Sequence, residues 1–234
     1  ALATVVLPVL SRQNSAGDQA GRTETYRWGA HLTLIIALPS AVGLAILAEP
    51  LFWTLFTYGR FTPADASASA AALVAYSLAL PAYALLKIQS AAFFSAQNTK
   101  TPVKIGVITM VANMVFSAAF VYLMIEINPA YQHVGLAIAS VCSAWLNCVL
   151  LQVRLIDVMP ERRMLPGGAG FFVKLIIAAV VMALAVDYLA NMMGWLEYGV
   201  GQRLWHLLLC VVGGALVYLL SLLIMGIRPK QFSR

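Results

Sequence analysis

Charge is what this sequence has least of. Asp, Glu, Lys and Arg make up only 10% of its 234 residues, against 62% apolar ones, where a soluble domain carries roughly 25% charged residues. Mean hydropathy is +0.85. A chain of this length cannot hide so much apolar surface in a fold that faces water. The deficit excludes a soluble enzyme, a disordered tail and a secreted scaffold, and leaves the bilayer as solvent. Cysteine is scarce as well. Cys142, Cys148 and Cys210 all sit in apolar runs with no CxxC pair, so neither a disulfide framework nor a zinc site is indicated. There is no HExxH, no P-loop and no GxGxxG opening a helix, so no metal, nucleotide or other cofactor is expected. The chain starts at Ala1 without the basic segment of a signal peptide, and its opening reads as a cut through a longer protein.

Positive charge is present but dispersed. The net charge is +6 and the sequence pI about 9.4. The basic residues lie between long apolar runs and do not gather on a face with aromatics, so no nucleic-acid partner is expected. A membrane protein collects the same excess in its cytoplasmic loops.

A helix crossing the bilayer needs about 20 apolar residues. Six stretches qualify: 30–58, 66–96, 105–125, 134–153, 171–193 and 204–227. Residues 2–10 read as the tail of a truncated helix. The polar stretch 11–27 reads as a loop, with room for an interfacial helix. Further loops fall at 58–65, 97–104, 126–133, 154–170 and 194–203, and a basic tail at 228–234. The runs are twice the length of a barrel strand and do not alternate. The expected class is therefore all-α, a polytopic transmembrane helix bundle with six full spans and one truncated span.

If residues 11–27 face the cytoplasm, alternation puts twelve basic residues on that side: Arg12, Arg22, Arg27, Lys100, Lys104, Arg154, Arg162, Arg163, Lys174, Arg228, Lys230 and Arg234. Arg60 and Arg203 face outward, and Lys87 lies within a span. The positive-inside rule then makes the C-terminus cytoplasmic.

Few residues could carry chemistry. Lys87 sits deep in an otherwise uncharged run. A lysine at mid-bilayer costs roughly 2.5–3.5 kcal/mol on insertion scales, so it belongs in a bundle interior or a wet cavity. The other reading is a lysine snorkelling toward the cytoplasmic edge. Pro39 and Pro81 lie mid-span and mark either hinges between moving bundles or static kinks. Thr109, Asn113 and Ser117 share one helical face, which reads as an ion-binding stripe or as interhelical glue. No carboxylate accompanies them inside the span, which weakens the ion reading. Glu49 and Asp187 are placed near outer span ends, within reach of pairing with Arg60 or Arg203.

One stretch is more specific. Residues 55–73 read LFTYGRFTPADASASAAAL, followed by Lys87, Phe93–Phe94 and the loop NTKTPVK at 98–104. This resembles the MurJ (MviN) lipid II flippase family of the multidrug, oligosaccharidyl-lipid and polysaccharide exporter superfamily. The opening ALATVVLPVLSR is similar to the end of that family's eighth helix. The clear match covers residues 1–150; beyond Arg154 it is one of topology.

The resemblance implies helices eight to fourteen of a fourteen-helix transporter in the bacterial inner membrane, the second of its two lobes. Residues 1–154 would form the lobe's core bundle, and 155–234 would hold the last two helices, which form a groove for the lipid tail, and the basic tail. It implies movement of the lipid-linked peptidoglycan precursor, lipid II, to the outer leaflet by alternating access, without catalysis. Lys87 and Arg60 would lie on the substrate pathway; the family's other cavity cations belong to regions this chain does not contain. The remaining partners implied are membrane lipids and the N-terminal half of the same protein. Arg60 follows the glycine in YGRF, where many relatives place the basic residue before it.

Three alternatives stay open. One is a polysaccharide or multidrug exporter of the same superfamily, against which the TKTPVK loop weighs. An intramembrane transferase would need acidic or His residues clustered at one membrane face. A structural scaffold would leave Lys87 and the mid-span prolines without a use.

Overall fold

The computed structural model describes residues 2–57, 60–159 and 168–227. Among these, nine α-helices and two short 3-10 turns make up all the regular structure. The helices are α1 (Leu2–Ser15), α2 (Gln19–Ile46), α3 (Ala48–Leu55), α4 (Pro63–Ser77), α5 (Leu80–Ser95), α6 (Lys100–Ile127), α7 (Gln132–Arg154), α8 (Gly168–Asn191) and α9 (Val200–Ile224). Six segments are long and apolar enough to cross a membrane, with α4 and α5 together supplying one of them. Arg162, Arg163, Arg228, Lys230 and Arg234, and residues 58–59 of YGRF, lie outside the described residues.

The polar stretch 11–27 is helical apart from a turn at 16–18, so the helix for which the sequence left room is present and the loop is short. α1 runs on to Ser15, and α2 starts at Gln19 after a turn at 16–18. Asp18 caps α2, its Oδ1 accepting from Gly21 N at 2.8 Å. Polar residues do not preclude a helix, which satisfies its backbone hydrogen bonds internally whatever surrounds it. Arg22 is only 2% exposed and donates to Gln19 Oε1 at 3.2 Å.

Two of the expected spans are broken, each just after a carbonyl that a proline four residues later cannot serve. The 30–58 run divides at Leu47 into α2 and α3, because Pro50 has no N–H to give the Ile46 carbonyl. The 66–96 run starts at Pro63 and divides at 78–79 into α4 and α5. Pro81 leaves the Ser77 carbonyl without a donor in the same way, and it occupies the first turn of α5. At that break the Trp145 indole donates to the Leu78 carbonyl at 3.0 Å. Helix α2, in contrast, runs unbroken through Pro39. The loop after α5 also has a local cause: Asn98 Oδ1 accepts from Thr101 N at 3.2 Å, capping α6. Pro102 then falls in the first turn, where a missing N–H costs nothing.

Three buried clusters hold the bundle. One joins α1, α2, α5 and α7 through Val6, Leu10, Ile88, Phe93 and Leu151. A small one joins the 78–79 break and α5 to α7 through Ala79, Ala82, Ala144 and Cys148. The third packs α8 and α9 against α2 through Leu34, Leu175, Met182, Val186, Cys210 and Leu222. Helix α6 packs mainly on α7 and is the least buried of the six spans.

Candidate functional site

Helix α5 positions the most informative side chain. Tyr83, Lys87, Ser90 and Phe94 recur at helical spacing on one of its faces. Together with Ala3, Thr4 and Leu7 of α1, that face lines an open cavity of about 630 Å³. Lys87 sits midway along α5 and is exposed into this space. Among the described residues the one ion pair is Arg154–Asp157 at 3.9 Å, so the Lys87 ammonium has no carboxylate partner there. An unpaired cation in an open cavity between helices is poised to meet an anion.

The opposite face of α5 is sealed. Gln89 is 1% exposed. Its Nε2 donates to the Cys148 carbonyl at 3.1 Å and to Gln152 Oε1 at 3.0 Å, both on α7. The Tyr26 hydroxyl of α2 donates to the same Gln152 oxygen at 2.8 Å. Three helices thus meet at one buried polar knot. Sequence reading missed it. The available signal was a glutamine two positions beyond Lys87 in an apolar run, but its partners lie 59 and 63 residues away.

The stripe of Thr109, Asn113 and Ser117 faces α7. Asn113 Nδ2 donates to Ser143 Oγ at 3.0 Å, and Asn147 Nδ2 donates to Thr109 Oγ1 at 3.1 Å. Thr109 Oγ1 in turn donates to the Gly106 carbonyl at 3.1 Å. Ser117 follows on the same side, half-buried. Asn147 and Ser143 were not singled out from the sequence. No group of three or more His, Cys, Asp or Glu side chains is placed to hold a metal among the described residues.

Arg60 lies exposed in the turn between α3 and α4, beside a capping box in which Thr62 N donates to Asp65 Oδ2 at 2.8 Å. It does not line the Lys87 cavity, so the structure does not bring those two residues together. The expected pairing of Arg203 with Glu49 or Asp187 is not what forms. Arg203 donates to three backbone carbonyls instead: Trp53 at 2.8 Å, Tyr198 at 2.8 Å and Leu196 at 3.2 Å. The end of α3 presents carbonyls that its own helix leaves free, and a guanidinium with five donors satisfies several at once. Asp187 accepts from Asn191 Nδ2 at 3.1 Å. Glu49, Asp187 and Glu197 line a second cavity, of about 730 Å³, beside this clamp.

A third cavity, of about 460 Å³, is an apolar groove between α2, α8 and α9. Pro39, Leu44, Met182, Val186, Gly214 and Leu219 are among its walls.

Comparison with known proteins follows from this geometry. The family described as lipid II flippase MurJ matches residues 1–209. A probable lipid II flippase MurJ from Vibrio cholerae is 36% identical over 232 residues, covering 99% of this chain and 43% of the relative. The corresponding protein of Haemophilus influenzae is 37% identical, covering 99% of this chain and 45% of its own length. The lipid II flippase MurJ of Burkholderia cenocepacia is 32% identical over 240 residues, covering 100% and 44%. A solved structure of lipid II flippase MurJ in an inward closed conformation superposes with a TM-score of 0.74 at 24% identity. That superposition covers 94% of this chain and 41% of the other, and it speaks to the fold. This chain spans less than half the length of these relatives.

Proposed function

The chain belongs to the lipid II flippase MurJ family, and from that premise we propose that it is the C-terminal part of a flippase for lipid-linked peptidoglycan precursor. The complete protein would have fourteen helices in the bacterial inner membrane, with the C-terminus of this chain in the cytoplasm. It would move lipid II from the cytoplasmic to the periplasmic leaflet by alternating access, as a transporter and not an enzyme.

One observation carries the reading: Lys87 stands midway along α5, the second helix of the spanning segment Pro63–Ser95, exposed into a cavity and without a carboxylate partner among the described residues. A diphosphate entering hydrocarbon needs compensating positive charge and water. A compact ammonium on a flexible stem can follow such a group as it moves. The N-terminal half would close the open side of the cavity and supply further cations. The groove between α2, α8 and α9 would take the lipid tail, since its walls are apolar. The break before Pro81 would serve as the pivot between the outer and inner halves of one span, and Pro39 would be a static kink in α2 beside the groove. Arg60 would meet the headgroup only on the outer side. Thr109, Asn113 and Ser117 would fix α6 on α7.

The test uses the complete gene in a host depleted of its own flippase, following growth and lipid II in the outer leaflet. Restoration of both is expected. Good membrane expression with neither restored would overturn the proposal and favour a polysaccharide or drug exporter of the same superfamily.

A further inference from the structure

We propose that Gln89 is a positioning residue, whose carboxamide fixes the rotation of α5 about its own axis and so keeps Lys87 turned into the cavity. The role given to Lys87 rests on the flippase reading above; the fixing of the helix does not.

The argument begins with helix geometry. Two residues along a helix turn it by about 200°, so Lys87 and Gln89 occupy opposite faces. Where α5 is buried, Ala82, Ala91 and Ala92 stand beside the larger Ile88 and Phe93. Those apolar side chains resist rolling by shape, but lipid tails are as apolar as the core and the contacts carry no direction. The amide adds direction. Its Nε2 spends both hydrogens on α7, on the Cys148 carbonyl at 3.1 Å and on Gln152 Oε1 at 3.0 Å. The Tyr26 hydroxyl holds that same oxygen at 2.8 Å from α2. The Cys148 carbonyl also has a helical partner on α7 and lends a second lone pair. Rolling α5 by one residue's worth of turn would strip these partners from a buried amide, which is costly to leave unpaired. The same roll would carry Lys87 out of the space it shares with Thr4 and Leu7.

The experiment uses the complete protein with its native cysteines replaced. Lys87→Cys and Ala84→Cys are labelled separately with a water-soluble methanethiosulfonate, each with Gln89 and with Gln89→Met, which keeps the volume and removes the bonds. The readout is the ratio of labelling rates at positions 87 and 84, which is independent of how much protein folds. The expected result is a fall in that ratio of about fivefold with Gln89→Met, the scale of losing one or two membrane hydrogen bonds. Gln152→Leu removes the shared acceptor and should lower the ratio in the same direction, which covers the case in which Gln89→Met does not fold. A ratio unchanged within twofold in whichever variant folds overturns the proposal. Flipping is measured separately on Lys87→Ala. Full flipping by that variant would overturn the role of Lys87 while leaving the labelling ratio to decide Gln89.

Discussion

Helices α6 and α7 meet backbone to backbone, whereas α8 and α9 meet through a side chain. At Gly135 of α7 an added Cβ would lie 2.7 Å from the Phe120 carbonyl oxygen of α6. At Gly214 of α9 the obstacle is the Val186 Cγ2 of α8, at 2.6 Å. The polar ties differ too. Asn113–Ser143 and Asn147–Thr109 cross between α6 and α7 inside the span. The α8–α9 pair is tied near its ends: Lys174 Nζ donates to the Met225 carbonyl at 2.8 Å, and Arg203 clamps the other end to α3. Between those ties the contacts are apolar, through Leu175, Met182, Val186, Cys210 and Leu222. In a bilayer such contacts resist separation by packing but do not set register, because lipid is as apolar as they are. A close backbone contact with polar pairs makes a rigid wall. A pair held at its ends leaves an adjustable flank beside the apolar groove between α2, α8 and α9.

The comparison can be broken at each of its supports. Gly135→Leu should have the largest effect, more than about 2 kcal/mol, because backbone cannot yield to the new side chain. It is read as loss of folded, protease-resistant protein in membranes. Gly214→Ala should cost about 1 kcal/mol, since Val186 can shift with its helix; thermal unfolding in detergent measures it. Equal losses at the two glycines would erase the distinction between the helix pairs. Asn147→Leu should cost about 0.6 kcal/mol, the average for interhelical hydrogen bonds in a membrane. A double-mutant cycle with Thr109→Val isolates that pair. Lys174→Met should change stability by no more than about 0.5 kcal/mol, because its ammonium sits at an exposed edge. It should instead loosen the end of the hairpin, read as faster amide exchange at Met225 and its neighbours. A larger stability loss for Lys174→Met than for Asn147→Leu would reverse the ranking of end ties and mid-span ties.

The number of spans was legible in the sequence because hydrocarbon imposes both length and composition on anything that crosses it. The polar stretch 11–27 was read as a loop with room for a helix, because low hydropathy alone does not separate the two; helix prevails outside a short turn. The breaks at Leu47 and 78–79 were latent in Pro50 and Pro81, and the four-residue reach of the missing hydrogen bond locates both. Lys87 stood out because charge is costly at that depth. Gln89 did not, since a neutral amide costs less and its partners come from α7. Gly135 was indistinguishable among 16 glycines, because what it does depends on which backbone lies opposite. Arg203 looked like an ion-pair partner by its charge, but the free carbonyls at the end of α3 are a feature of folded helices that residue types do not announce.

The account depends most on Lys87 being a cation that the substrate meets. The decisive measurement is outer-leaflet lipid II in a flippase-depleted host carrying the complete gene, with Lys87→Ala compared against Lys230→Ala at matched membrane expression. The account predicts that Lys87→Ala loses most of the restored lipid II while Lys230→Ala keeps it. Full and equal restoration by both variants would contradict it and leave Lys87 a snorkelling side chain.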